Sequence, residues 1–277
     1  MNSTPILSPL PSTTPTFDHP IGRGTEVLLR GRHRHARYRS SHSLAWIRRT
    51  MSGWRLSGLT FVLAVLLPIP LVGWEFSLGF TLLILAHEMG HWTVGRLLRV
   101  PVKPPVFIPM LGAFVSADFE EVGRWEQATV ALAGPALGSA VAAPVLIVGI
   151  STHVTLLIWL GGVGLLLNAL NCLPILPFDG GRAIAAVHPA LWALGLGVVI
   201  WLEVIDIIGW PAIVMVALGL IVMMVEVGEW RVTQAAQQPC SMLQRLVIIG
   251  ALVGVTAVPL ILLDHFLPGF WIYVHIF

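Results

Sequence analysis

What this sequence has least of is charge. Lys, Arg, Asp and Glu make up 11% of its 277 residues, against about 25% in an ordinary soluble domain. With 56% hydrophobic residues beside it, that scarcity excludes a soluble globular protein and points to an integral membrane protein. Cysteine is scarcer still. Cys172 and Cys240 stand far apart, which excludes a disulfide framework or a zinc ribbon built on paired cysteines. Cys172 reads as a small apolar residue inside a span.

The few charges that exist are unevenly distributed. Residues 1–50 hold Pro5, Pro9, Pro11, Pro15 and Pro20 among Ser and Thr, followed by Arg30, Arg32, Arg34, Arg37, Arg39, Arg48 and Arg49. This composition predicts a disordered basic tail that anchors the topology on the cytoplasmic side. Contact with nucleic acid or anionic lipid is the sharper reading of such a run, and no nucleic-acid partner is expected here. No small-residue cleavage site follows the first apolar segment, so removal of a leader is not expected.

Apolar stretches long enough to span follow at roughly 56–73, 76–98, 126–150, 154–176, 190–208, 210–227 and 244–264. A hydrocarbon core of about 30 Å needs about 20 residues of helix. The expected fold class is therefore all-α and polytopic, with six or seven transmembrane helices. The expected domains are the tail, a membrane-embedded domain over 51–264 and an interfacial tail over 265–277. With the N-terminus inside, Arg96, Arg99, Lys103, Arg124, Arg182, Arg231 and Arg245 all fall in cytoplasmic segments or at their edges. The turns near Glu75, Thr152 and Gly209 carry no basic residue.

Segment 100–123 breaks the pattern. Pro101, Pro104, Pro105 and Pro109 forbid a regular helix, yet Val106-Phe107-Ile108 and Leu111-Gly112-Ala113-Phe114-Val115 are apolar. A membrane-dipping loop or short hairpin over 104–118, shielded by protein, accounts for both facts. An apolar interfacial loop is the plainer alternative.

Within the second apolar stretch lies His87-Glu88-Met89-Gly90-His91. Ionisable groups at membrane depth cost about 2.5–3.5 kcal/mol each on insertion scales and tend to mark function. A helix stacks His87 and His91 one turn apart on one face, a geometry that suits two ligands of one metal ion, with Glu88 as general base. His87 precedes Arg96 by about 13 Å of helix at 1.5 Å per residue, which sets the cluster in the cytoplasmic half. The bland alternative is a polar pair hydrogen-bonded between spans.

Catalytic zinc takes three protein ligands and leaves one position open. His188 and Asp179 are the candidates for the third. Asp179 follows Asn171-Cys172-Leu173-Pro174-Ile175-Leu176-Pro177-Phe178 and precedes Gly180-Gly181-Arg182. The prolines end a helix, and the glycines permit a tight turn that could aim a carboxylate inward. A cap on a helix beginning near Arg182 explains Asp179 equally well.

His87-Glu88-Met89-Gly90-His91 in one span, together with the N-x-x-P-x-x-P-x-D-G-G pattern of residues 171–181, resembles the site-2 protease family of intramembrane zinc metalloproteases. The resemblance covers roughly residues 76–182. It implies one zinc ion per chain held by His87, His91 and Asp179, with Glu88 as the catalytic residue. Gly112-Ala113-Phe114 looks like the family's membrane-dipping loop, which makes Gly112 and Phe114 candidate substrate contacts. Asn171 is a third, and Asn168 on the same stretch shares its two readings: contact with substrate or water, or a hydrogen bond between spans. Ala133-Gly134-Pro135-Ala136-Leu137-Gly138 resembles a G-P-x-x-N element, with Gly138 where Asn is common. No PDZ or CBS module is expected, and the chain resembles a minimal catalytic core. The implied partners are the bilayer and a transmembrane protein substrate, and the implied location is a cell membrane. A non-proteolytic zinc protein, scaffold or transporter, is the competing class. Other acids near spans, among them Glu203, Asp206 and Glu226, lie toward span ends.

Overall fold

The computed structural model describes residues 43–109, 112–115, 122–204 and 239–268. The chain divides into a unit of residues 1–49 and a unit of residues 50–277. The second begins inside helix α1 (Ser43–Leu66), which a short turn of helix, α2 (Ile69–Val72), follows. Then come α3 (Trp74–Leu97), strands β1 (Val106–Ile108) and β2 (Gly112–Phe114), α4 (Arg124–Thr152) and α5 (Thr155–Asn171). The short α6 (Asp179–Ala185), a 3₁₀ turn (Pro189–Leu191), α7 (Trp192–Val204) and α8 (Met242–Phe266) complete the described residues. The basic tail before Ser43, the stretch 210–227 and the segment after Pro268 lie outside them.

Among the described residues, three helical stretches are long and apolar enough to cross a membrane: Gly53–Val72, α4 and α8. The expectation of six or seven spans is thus matched only in part. Helix α3 is 24 residues long but interrupts its apolar run with the His87–His91 cluster. Helix α5 has 17 residues and the described part of α7 has 13, both short of the ~20 that span by themselves. Large side chains on the outer helices face outward uncovered, among them Leu59, Leu71, Leu243 and Ile261. That is the arrangement expected where lipid is the solvent and burial inside protein is no longer what apolar residues need.

Close approach through small residues holds the middle helices. On α4, Gly149 faces the backbone of Leu157 and Ile158, and on α5 Gly161 faces the backbone of Leu146; a Cβ at either would overlap main chain. Gly90 of α3 meets Ala133 and Gly134 of α4 in the same way. Leu83, Ala142, Leu146, Leu160, Leu165 and Leu263 fill the space between α3, α4, α5 and α8. Polar ties cross from α3 to α1: Ser77 Oγ donates to the Val65 carbonyl at 2.5 Å, and Thr81 Oγ1 to that of Ala64 at 3.5 Å. Such bonds contribute about 0.6 kcal/mol each on average in membrane helices.

The proline-rich segment after α3 forms a two-stranded antiparallel hairpin, with Val106 opposite Phe114, Phe107 opposite Ala113 and Ile108 opposite Gly112. The all-α expectation is modified to this extent. Phe107 anchors the hairpin: it is 2% exposed, packs with Ala64 and Ile84 and meets the Phe61 ring edge-on. Burial of a Phe contributes roughly 1.5–3 kcal/mol. The Phe107 N–H donates to Thr60 Oγ1 at 3.2 Å. No third strand joins β2 among the described residues, so one of its edges is unpaired there.

Candidate metal centre

Helix α3 buries His87, Glu88 and His91 together, at 4%, 4% and 8% exposure. Their ligand atoms lie within 4.8 Å of one another. Each imidazole is held from behind. His87 Nδ1 donates to Asn168 Oδ1 at 2.8 Å, and Asn168 Nδ2 donates to the Gly164 carbonyl at 2.7 Å. The second bond decides which end of the amide faces the ring. His91 Nδ1 donates to the Val130 carbonyl of α4 at 2.8 Å. A neutral imidazole protonated at Nδ1 carries only a lone pair at Nε2.

Those lone pairs converge. The two Nε2 atoms are 3.1 Å apart, and Asp179 Oδ2 stands 3.1 Å from one and 3.2 Å from the other. Three acceptors this close repel one another unless a cation lies among them. Their triangle also has the right size for one ion: donors about 2.0–2.1 Å from a tetrahedral zinc are on the order of 3.3 Å apart. Two imidazoles and a carboxylate, with hydrogen-bond acceptors behind both rings, are a zinc-type donor set. The residues present therefore fit zinc.

Of the two candidates for the third donor, only Asp179 stands beside the histidines. His188 does not join the cluster. It precedes the 3₁₀ turn, where its Nδ1 accepts the Ala190 N–H at 3.1 Å. Asp179 is the first residue of α6 rather than its cap. The cap is Phe178, and no side chain satisfies that helix end. With the helix beginning at Asp179 instead of near Arg182, the carboxylate is aimed at the histidines. Gly180 and Gly181 are helical and have no positive φ, so a tight turn is not their role. A Cβ on Gly180 would overlap the Cys172 and Leu173 carbonyls, and one on Gly181 the backbone of Ile175 and Leu176. The glycines let α6 lie flat on the loop leading from α5. Trp192 Nε1 pins that contact by donating to the Gly181 carbonyl at 2.8 Å.

A cavity of about 110 Å³ opens beside the donors. Glu88 reaches it, and its buried Oε2 has no hydrogen-bond partner among the described residues. One wall is strand β2 and its continuation, Ala113, Phe114 and Val115; Asn171, Pro177 and Arg182 form another part. Of the residues expected to contact substrate, Phe114 and Asn171 line this cavity, and Gly112 does not. Asn171 Nδ2 donates to the Leu167 carbonyl at 2.9 Å. Sequence reasoning missed the Val130 carbonyl, the close fit of Gly134 against the His91 ring and the place of Arg182 in the cavity wall. The small-residue run 133–138 was the one signal that could have suggested the fit.

An integral membrane protein that buries an HExxH helix face and an aspartate around a zinc-type centre belongs to a recognisable class. The model of peptidase family M50 matches residues 75–154. The protein sll0528 of Synechocystis, whose name carries the words zinc metalloprotease, is 30% identical over 149 residues, 50% of this chain and 38% of that protein. Rip3 of Mycobacterium tuberculosis, named in the same terms, is 32% identical over 111 residues, 37% of this chain and 28% of Rip3. The chain thus aligns with well under half the length of these relatives. Over residues 75–154 the chain is thus similar to peptidase family M50, and over part of its length to proteins named zinc metalloproteases.

Proposed function

We propose that this chain is an intramembrane zinc metalloprotease that cleaves peptide bonds in or near transmembrane segments of other membrane proteins. One observation carries the reading: two imidazole nitrogens and a carboxylate oxygen converge beside a buried glutamate whose Oε2 has no partner among the described residues. His87, His91 and Asp179 would hold one zinc ion, which when bound supplies Lewis acidity to a peptide carbonyl and to water. Glu88 Oε2 takes a proton from water as that water attacks the scissile carbonyl, then delivers it to the departing nitrogen.

A helical substrate hides its carbonyls in its own hydrogen bonds, so it unwinds at the cut, and the freed backbone needs partners. The unpaired edge of β2 along Ala113–Val115 supports strand addition there, with Phe114, Gly112 and Asn171 as the substrate-binding residues. The distribution of Lys and Arg supports six or seven spans with the N-terminus cytoplasmic. It also supports a location in the cell membrane and a site in the cytoplasmic half, which water reaches from that side.

The test is an assay of purified protein with a single-span substrate. Glu88→Gln retains zinc and loses cleavage by at least about 100-fold, the scale of general acid–base contributions. Cleavage by Glu88→Gln at the wild-type rate would overturn the role given to Glu88.

A further inference from the structure

Asn168 of α5 is the side chain that holds His87 from behind. It is 1% exposed, the most deeply buried polar side chain of the centre. Its amide is clamped at both ends, by His87 Nδ1 and by the Gly164 carbonyl. The space it occupies comes from a different helix. A Cβ on Gly138 of α4 would overlap Oδ1, Cγ and Nδ2 of Asn168 at once. A glycine on α4 thus opens a recess, and an asparagine from α5 fills it to reach a ring on α3.

We infer that Asn168 is the positioning residue for His87 and that Gly138 is the recess that admits it. The inference rests on the metal-centre reading above. Its content is that the amide fixes His87 in the Nδ1–H tautomer, so that Nε2 faces Asp179 and His91 with a lone pair. Any side chain at position 138 displaces the amide, and an asparagine there would compete with Asn168 for the same volume. Both positions act on His87 alone. His91 is oriented separately, by the Val130 carbonyl.

Zinc affinity of the purified full chain, measured by competition with a chromophoric chelator, tests this without reference to proteolysis. Asn168→Leu weakens zinc binding by about 10–100-fold, the range for loss of an outer partner of a metal-bound histidine. Gly138→Ala weakens it as well, because the added methyl displaces the amide. In an Asn168→Ala background the same Gly138→Ala change has no further effect on affinity. This non-additivity is the mark of two residues sharing one contact. In proton spectra of ¹⁵N-histidine protein, the Nδ1–H signal of His87 is lost in Asn168→Leu while that of His91 persists. A purely structural tie between α3 and α5 predicts otherwise: a lower melting temperature of the metal-free protein, unchanged zinc affinity and both histidine signals retained. Unchanged affinity in Asn168→Leu, or additive losses for the two positions, overturns the inference and leaves the centre intact. Failure of the wild-type chain to take up zinc overturns both. Gly138→Ala keeps the test decisive should the Asn168 variants not fold.

Discussion

At the scale of single residues, the centre is defined by what lies behind each donor as much as by the donors themselves. The His91 ring is trapped between the Val130 carbonyl, which fixes Nδ1, and Gly134, where a Cβ would overlap Nε2 and Cε1. The ring cannot turn away without giving up its hydrogen bond. Gly134→Ala therefore lowers zinc affinity and destabilises the fold by about 1–3 kcal/mol, the usual cost of overpacking. Metal titration and denaturant unfolding of the variant check the two parts. A Gly134→Ala protein with wild-type affinity would mean that the α3–α4 contact yields more easily than its geometry implies. Asp179 differs in that its position depends on main-chain packing. The glycines that follow it and the Trp192 bond to Gly181 fix the start of α6, and with it the direction of the carboxylate.

At the scale of elements, the hairpin is the part that links the centre to a substrate. Phe107 holds β1 against α1 and α3, and β2 forms a wall of the cavity. In an antiparallel pair, successive residues turn their N–H groups alternately toward and away from the partner strand. Of Ala113 and Phe114, one therefore presents its main chain to the unpaired edge. Proline at that position removes a donor that an added strand would use. The expected result for the proline variants at 113 and 114 is reduced cleavage of a single-span substrate with zinc content unchanged. Full cleavage by both would count against strand addition. Phe107 bears on the same point indirectly, since its loss frees the hairpin from its anchor while leaving the donors untouched.

At the scale of the whole molecule, the donors come from α3 and α6, with their supports on α4 and α5, so an ion at the centre would cross-link four elements. A ligand that binds only the folded state stabilises it by about 4 kcal/mol at a thousandfold excess over its Kd. Chelation is accordingly expected to lower the apparent melting temperature of the wild-type chain. His87→Ala is expected to melt at a temperature that does not respond to chelator. Equal response of the two proteins would show that the stabilising ion is bound elsewhere. The outer surface follows from the same packing. Small residues draw α3, α4 and α5 together, and large apolar side chains are left on the outside of α1 and α8, as a chain solvated by lipid requires.

The sequence alone determined what is local or compositional: the membrane class, an apolar loop or hairpin in the proline-rich segment, and the pairing of His87 with His91 beside Glu88. Each depends on chemistry within a few residues, on one helical turn, or on the missing N–H of proline. The third donor could not be read that way. Asp179 was the better placed of two candidates and the one the family resemblance implied, and the packing of α6 on its loop sets its carboxylate beside the histidines while His188 caps a turn. The number of spans stayed coarse because the helix that carries the chemistry is also the one whose polar residues dilute its apolar signal. Asn168 lies 81 residues from His87 along the chain, and a glycine on a third helix, Gly138, leaves the space in which their side chains meet. That choice belonged to tertiary structure, because whether a buried amide can reach a ring depends on a volume left empty by neighbours, and no local pattern encodes that volume.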